Sequence, residues 1–191
     1  MIRRIATIAL LAGAGVAMAA PVTYNIDPDH TYPAFEADHM GGLSLWRGKF
    51  NKTSGKVVLD TAAKTGEVDI TIDMASVNFG HQGMDDHAKN ADIFDVAKYP
   101  TATYKGKISK WNGDVPAEID GQLTIKDVTR PVKLTVNSFL CKPNPMTRRE
   151  TCGADAVGSF QRDQFNVAYG KDFGFKMDTK VLISIEAVKA D

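Results

Sequence analysis

Long apolar runs are scarce in this chain. Beyond its N-terminal segment, no stretch approaches the roughly 18 consecutive apolar residues of a membrane-spanning helix. An excess of one charge is also missing, since 23 Lys and Arg face 23 Asp and Glu. Near-neutrality gives no electrostatic reason to expect a nucleic acid or a polyanionic surface as partner. Cysteine is almost absent, with Cys141 and Cys152 alone, and no Cys-x-x-Cys pair exists. Catalytic signatures are lacking as well. There is no Gly-x-Ser-x-Gly elbow, no P-loop, no glycine-rich dinucleotide turn and no His-Glu-x-x-His zinc motif. The alternation of strands with helices that builds a parallel sheet does not occur either, which excludes the doubly wound α/β class.

What is present begins with an export signal. Arg3 and Arg4 precede an apolar run from Ile5 to Val16, and Ala17-Met18-Ala19 supplies a small-x-small cleavage pattern. Cleavage is expected after Ala19, because a cut after Ala20 would leave Pro21 next to the scissile bond. The mature chain then runs from Ala20 to Asp191 as one domain exported to an oxidising compartment. There the two cysteines are expected to bond, closing the loop KPNPMTRRET.

The mature chain reads as strands. Ile26 to Phe50 organises the rest: two strands joined across Gly41-Gly42, where the backbone can take positive φ and bend sharply. Val22 to Ile26 precedes them, and Lys56 to Asp60 follows a turn at Asn51 to Gly55. Glu67 to Met74 has the clearest period of two, with Val68, Ile70, Ile72 and Met74 on one face. Further strands are expected over Thr101 to Trp111, Ala117 to Ile125, Val132 to Cys141, Ala154 to Phe165 and Thr179 to Val188. In the last of these, Val181, Ile183 and Ile185 oppose Leu182, Ser184 and Glu186. Only Ser76 to Pro100 departs from this rhythm, with Met84, His87, Ala88 and Ala91 at helical spacing before Pro100 ends the element. Eight to ten strands, short turns and one helical insert give an all-β fold. A closed antiparallel barrel is preferred to a sandwich because closure removes the sheet edges.

Three clusters of polar side chains invite a function. His81, Asp85, Asp86 and His87, with Asp92 and Asp95 beyond, offer nitrogen and oxygen ligands to a metal, or simply the acid-rich start of a helix. Arg162-Asp163 reads either as a surface ion pair or as a head-group contact at a barrel mouth. His39 sits at the Gly41-Gly42 bend among apolar bulk and is either structural or a pocket residue. Phe35, Phe79, Phe94, Tyr99, Phe165, Phe173 and Phe175 either fill a core or line a cavity.

Taken together, the short motifs resemble the YceI-like proteins, also called polyisoprenoid-binding periplasmic proteins. The matching residues are Tyr24-x-Ile26-Asp27-Pro28-x-His30, Phe35-x-x-x-His39-Met40-Gly41-Gly42 and Gly48-x-Phe50. They continue through Asp92-x-Phe94-Asp95, Tyr99-Pro100 and Gly121-x-Leu123-Thr124-Ile125-x-x-Val128-Thr129-x-Pro131-Val132. Cys152-Gly153-Ala154-Asp155-Ala156 and Arg162-x-x-Phe165 complete the set. The family's Ser-Asp-Phe-Gly after the arginine is here Asp163-Gln164-Phe165-Asn166, and Pro33 in a strand suggests an edge or bulge.

The resemblance implies an eight-stranded, extended, lipocalin-like antiparallel β-barrel that holds a long apolar chain. It implies a non-enzymatic carrier of an amphiphile such as a polyprenyl lipid or an isoprenoid quinone, in transient contact with a membrane or membrane protein, and able to dimerise. No cofactor other than the lipid is implied. Burying about ten methylenes contributes on the order of 8 kcal/mol before ordering costs, enough for micromolar binding. The tail is expected against Phe35, Met40, Leu45, Phe79, Phe94 and Phe165, with His39 and Arg162 at the polar end. The rival readings are a metal protein or enzyme built on His81 to Asp95, and an accessory protein of a membrane redox partner that binds no lipid.

Overall fold

Residues of period two dominate the chain, and each such run pairs with its neighbour. The computed structural model describes residues 20–191; the expected signal segment lies outside the described residues. Eleven strands and one α-helix follow in order: β1 Val22–Ile26, β2 Tyr32–His39, β3 Ser44–Phe50, β4 Thr53–Asp60, β5 Thr65–Asp73, β6 Val77–Asn78, α1 Gln82–Lys89, β7 Thr101–Asn112, β8 Val115–Ile125, β9 Val128–Pro143, β10 Glu150–Gln161 and β11 Asp178–Lys189. All pairings are antiparallel.

Eight of the strands close a ring in the order β1-β4-β5-β7-β8-β9-β10-β11, with β11 returning to β1. Closure leaves no free edge along this ring. The same edge of β11 that pairs with β1 near Ala187 pairs with β2 from Thr179 to Ser184. One strand position in the wall is therefore shared by two strands. β1 fills it at one end, and β2, backed by β3 and the two-residue β6, fills it at the other. Pro33 lies inside β2 opposite Ile183, one residue before the β2–β3 ladder begins at Ala34. It makes an end-of-ladder position rather than a bulge.

The two ends of the barrel are built differently. At the β1 end Tyr24, Leu59, Ile108, Cys152 and Ala187 are buried together. The Tyr24 phenol donates to Glu150 Oε1 at 2.6 Å. Burial, helped by the neighbouring Glu150 carboxylate, pushes the phenol up to about 12. Cys141 and Cys152 are direct cross-strand partners on β9 and β10, 4.0 Å apart at Cα, and form a disulfide. The strands extend well into the segment between them, to Pro143 and from Glu150, so the loop is shorter than its composition suggests.

At the other end the ladder is not continued between β6 and β7. α1 and the turns of residues 90–99 fill that gap. Ala88 packs with Phe50, Met74, Val77 and Ala102 in a second, smaller core. The expected helical insert thus contracts to eight residues, Gln82–Lys89. Residues 90–99 are held by turns such as Phe94 N–H to Ala88 O (3.1 Å) and Tyr99 N–H to Asp95 O (2.8 Å). Beyond β10 the chain also leaves the expected strand, and Arg162–Phe165 forms a 3-10 turn.

Candidate functional site: an apolar barrel interior with a polar lip

The inner face of the barrel is almost wholly apolar. Val68, Ile70 and Ile72 of β5, and Val181, Ile183 and Ile185 of β11, point inward as their alternation predicts. They surround a cavity of about 550 Å³ that runs along the barrel. Many lining residues stay half-buried because they border this space. One side chain crosses this interior, which continues to Tyr24, Leu59 and Ala187 at the β1 end. Tyr104 stretches across Gly121, where an added Cβ would come within 2.3 Å of the phenol oxygen. Its hydroxyl donates to Val132 O at 2.9 Å, and burial holds its pKa well above the ordinary tyrosine value.

The opening lies at the α1 end, where Gly83 and Tyr169 are the lining residues exposed to solvent. A chain of aromatic rings forms one wall there. Phe94 meets Phe50 (5.9 Å between centroids), Phe50 meets Phe35 (5.7 Å), and Phe35 meets Phe79 edge-on (5.5 Å). Trp46 stacks on His39 at 4.3 Å, and His39 abuts Phe175 at 5.1 Å. Gly48 makes this arrangement feasible. A Cβ there would lie 2.6 Å from Phe35 Cζ and 2.9 Å from Phe79 Cε1. Across the opening, His87 of α1 meets Tyr169 edge-on at 4.9 Å. Lys126, at the β8–β9 turn, ties the rim together by donating to Ile93 O (3.0 Å) and Asn166 O (3.2 Å).

Polar groups gather at this lip. Arg162 lines the cavity half-buried and donates Nη1–H to Val167 O at 2.8 Å. Burial pulls its pKa down, opposed by the charges of Asp163 and Asp38. Asp163 itself pairs with Lys171 at 2.7 Å, so of the two readings of Arg162-Asp163 the surface ion pair is not formed and the arginine lines the mouth. Asp38 Oδ2 accepts the amides of Lys176 and Gly41, both at 2.9 Å. These bonds hold its carboxyl below the usual range and fasten the β2–β3 tip to the 170–176 loop.

Of the residues expected to meet a ligand, Phe35, His39, Phe79, Phe94 and Arg162 line the cavity. Three do not. Leu45 pairs with Asp38 while Trp46 pairs with Ala37, so the register turns Trp46 inward and leaves Leu45 55% exposed outside. Met40 sits at the hairpin tip with φ +53° and is 56% exposed. Phe165 is fully buried, packed on Phe160 at 5.1 Å within the wall. Trp46, Phe50 and Phe175 line the cavity instead. The first two share a parity along β3, a signal that side-chain bulk at Leu43 and Leu45 obscures.

The His81 to Asp95 segment does not assemble a ligand set. Asp85 accepts the Phe79 amide at 2.6 Å, Asp86 accepts from Gln82 at 2.8 Å, and His87 reaches Asp92 at 3.3 Å. Among the described residues, the group that brings three ligand atoms within 4.8 Å of one another is Asp27, His30 and Glu186, on the outer surface at the β1–β2 connection. There Asp27 is already engaged by His30 Nδ1 (2.8 Å) and by the Asp29 amide (3.0 Å).

Comparison with known proteins places the chain. The model of the YceI-like domain matches residues 24–188. A UPF0312 protein of Pseudomonas aeruginosa is 32% identical over 186 residues, covering 92% of this chain and 91% of its own. Protein YceI of Escherichia coli is 30% identical over 182 residues, covering 94% and 93%. Among solved structures, BcnA of Burkholderia cenocepacia aligns with a TM-score of 0.66 at 28% identity over 85% of this chain and 99% of its own. A polyisoprenoid binding domain from Saccharophagus degradans aligns with a TM-score of 0.62 at 15% identity over 87% and 98%, a likeness of fold. On the span of the domain match and the identity of its relatives, the chain belongs to the YceI-like family.

Proposed function

We propose that this protein is a periplasmic carrier of a long-chain isoprenoid lipid, a polyprenyl lipid or an isoprenoid quinone, whose tail occupies the barrel. One observation carries the reading: a continuous, mostly apolar cavity of about 550 Å³ whose lining arginine, aspartate and histidines, Arg162, Asp38, His39 and His87, lie at one end. That distribution matches an amphiphile, since the tail gains from leaving water along its whole length and the head keeps polar partners at the lip. The family relationship and the description of the Saccharophagus domain as polyisoprenoid binding support the same class.

In this reading Phe35, Phe79 and Phe94 flank the tail, and His39 and Arg162 face the head. Arg162 has guanidinium donors left after its bond to Val167 and, among the described residues, no paired carboxylate, so it suits an oxygen-rich head. Organic extraction of protein purified from its native host, together with intact native mass, tests the proposal. A single co-purifying species of isoprenoid mass is the expected result. A mass equal to the bare chain, or to the chain plus a metal, would overturn it. Arg162→Ala should weaken an anionic-head lipid by about tenfold or more while changing a neutral one little, as read by displacement titration. Equal losses for both would remove Arg162 from that role.

A further inference from the structure

Four buried polar side-chain atoms find no hydrogen-bond partner among the described residues: Thr53 Oγ1, Trp111 Nε1, Thr151 Oγ1 and Thr179 Oγ1. Each has left water without gaining a partner, which lowers stability. Trp111 and Thr151 do not line the cavity, whereas Thr53 and Thr179 do. Thr53 stands on β4 opposite Ile72, and β5 beside it carries no arginine or histidine. Thr179 begins the inward row of β11, is only 5% exposed, and stands among the polar groups of the lip.

Strand register fixes its surroundings. Thr179 lies between Phe160 of β10 and Ala37 of β2, and all three line the cavity. Two residues beyond Phe160, toward the mouth, comes Arg162, whose amide donates to Met177 O at 2.9 Å. Two residues beyond Ala37, in the same direction, comes His39. Both are diagonal neighbours of Thr179, a step of about 7–8 Å that a long or aromatic side chain spans. Away from the mouth the inward residues of β11 are Val181, Ile183 and Ile185. The Thr179 hydroxyl therefore stands where the polar lip gives way to the apolar tube.

The donors at this level call for one kind of partner. Arginine only donates, and a threonine hydroxyl both donates and accepts. One step about χ1 exchanges the hydroxyl and methyl of Thr179, so the hydroxyl turns to the cavity without a change in volume. An oxygen with two lone pairs seated here takes one bond from Arg162 and one from Thr179. We infer that Thr179 is a head-group contact, and that the cargo carries an oxygen, as an alcohol, a carbonyl or an ester, where head and tail join. This rests on the carrier reading and specifies what the cargo offers at its polar end. A hydroxyl left unmet in the empty barrel selects oxygen-bearing cargo over a plain hydrocarbon, because only the former satisfies it.

Displacement titration of the delipidated mature protein, with a prenyl alcohol and the hydrocarbon of the same chain length, tests the assignment. The wild type should prefer the alcohol. Thr179→Val keeps the shape and removes the hydroxyl, so it should weaken the alcohol by about fivefold and leave the hydrocarbon unchanged. Thr179→Ser keeps the hydroxyl and should keep the preference. Thr179→Val should also raise the melting temperature of the empty protein by about 2–4 °C, since it removes a buried group that has no partner. Thr151→Val is the control, because Thr151 is equally orphaned but does not line the cavity. It should raise the melting temperature likewise and alter neither affinity. The proposal falls if Thr179→Val binds the alcohol as tightly as the wild type, or loses alcohol and hydrocarbon equally. It falls too if Thr179→Val melts below the wild type, since the hydroxyl would then be bonded within the protein, or if Thr151→Val also loses the preference. A wild type that binds neither probe overturns the carrier reading and this assignment with it. Binding of both probes without preference removes the Thr179 contact alone.

Discussion

The two ends of this barrel share strands and a core yet do opposite things. At the β1 end, direct strand pairing, the Cys141–Cys152 bridge and the Tyr24–Glu150 bond converge on fully buried side chains. At the α1 end the wall is completed by a two-residue strand, an eight-residue helix and single-turn segments, and Phe35, Trp46, Phe79 and Phe94 stay partly exposed beside the buried Phe50. A disulfide and direct pairing of the first and last strands hold one end, and access lies where regular structure gives out. The contrast fits a general pattern, since binding regions are drawn from the less stable parts of a fold. A barrel can tolerate a loosely built mouth because the ring of eight strands holds without it.

The contrast can be broken most severely inside the barrel, where Tyr104 crosses Gly121. Gly121→Ala places a Cβ within 2.2 Å of the Tyr104 ring, and Tyr104 cannot retreat without losing its bond to Val132. Overpacking of this kind should destabilise the protein by about 3 kcal/mol, read as a lower urea midpoint with unchanged slope. A midpoint within error of wild type would show that the interior around Tyr104 is as pliable as the mouth.

The next effect is smaller and depends on pH. The Tyr24 phenol is pushed up to about 12 in the folded protein, against an ordinary value near 10. A group whose pKa is raised by folding stabilises fully below its unfolded value, and that contribution is lost as pH rises through the folded value. Stability should therefore decline between about pH 10 and 12 beyond what the other residues cause. Tyr24→Phe should cost about 1–2 kcal/mol at neutral pH and flatten this alkaline decline, in denaturation curves collected across the range. If the decline persists undiminished in Tyr24→Phe, the closed end does not depend on this bond.

The smallest effect is expected outside the mouth. Leu45→Ser removes an outward side chain and should change stability by less than about 0.5 kcal/mol and cargo affinity not at all. Trp46, its inward neighbour, provides the reporter, since its fluorescence should respond to occupancy of the cavity in the same variant.

Much of this architecture is legible in the amino-acid order. The strict alternation in β5 and β11 reads correctly as inner and outer faces, because one face meets only apolar neighbours. The cysteine pair reads correctly as a bridge, although the strands reach further toward it than Pro, Asn and Arg suggest. Leu45 and Met40 read incorrectly for a physical reason. Around the Gly41-Gly42 turn both parities carry large apolar residues, so hydrophobicity cannot say which side faces in, and only the pairing of β3 with β2 decides it. Phe165 misleads differently. Its strand ends at Gln161, and the 3-10 turn that follows rotates the ring into the wall. The half-strand arrangement of β1 and β2 leaves no local mark at all, because it depends on which part of β11 each one meets.

That shared edge on β11 has a consequence for the order of events. Val22 to Ile26 is the first strand described, and its partners Ala187 to Lys189 lie on β11, the last, more than 160 residues along the chain. The ring therefore cannot close before β11 has formed, and the hairpins from β7 to β11 must wait as an open, curved sheet until β1 and β11 meet. Contacts so distant along the chain are slow to form. During that wait the apolar inner face is uncovered, and a lipid arriving then would meet a trough rather than a tube.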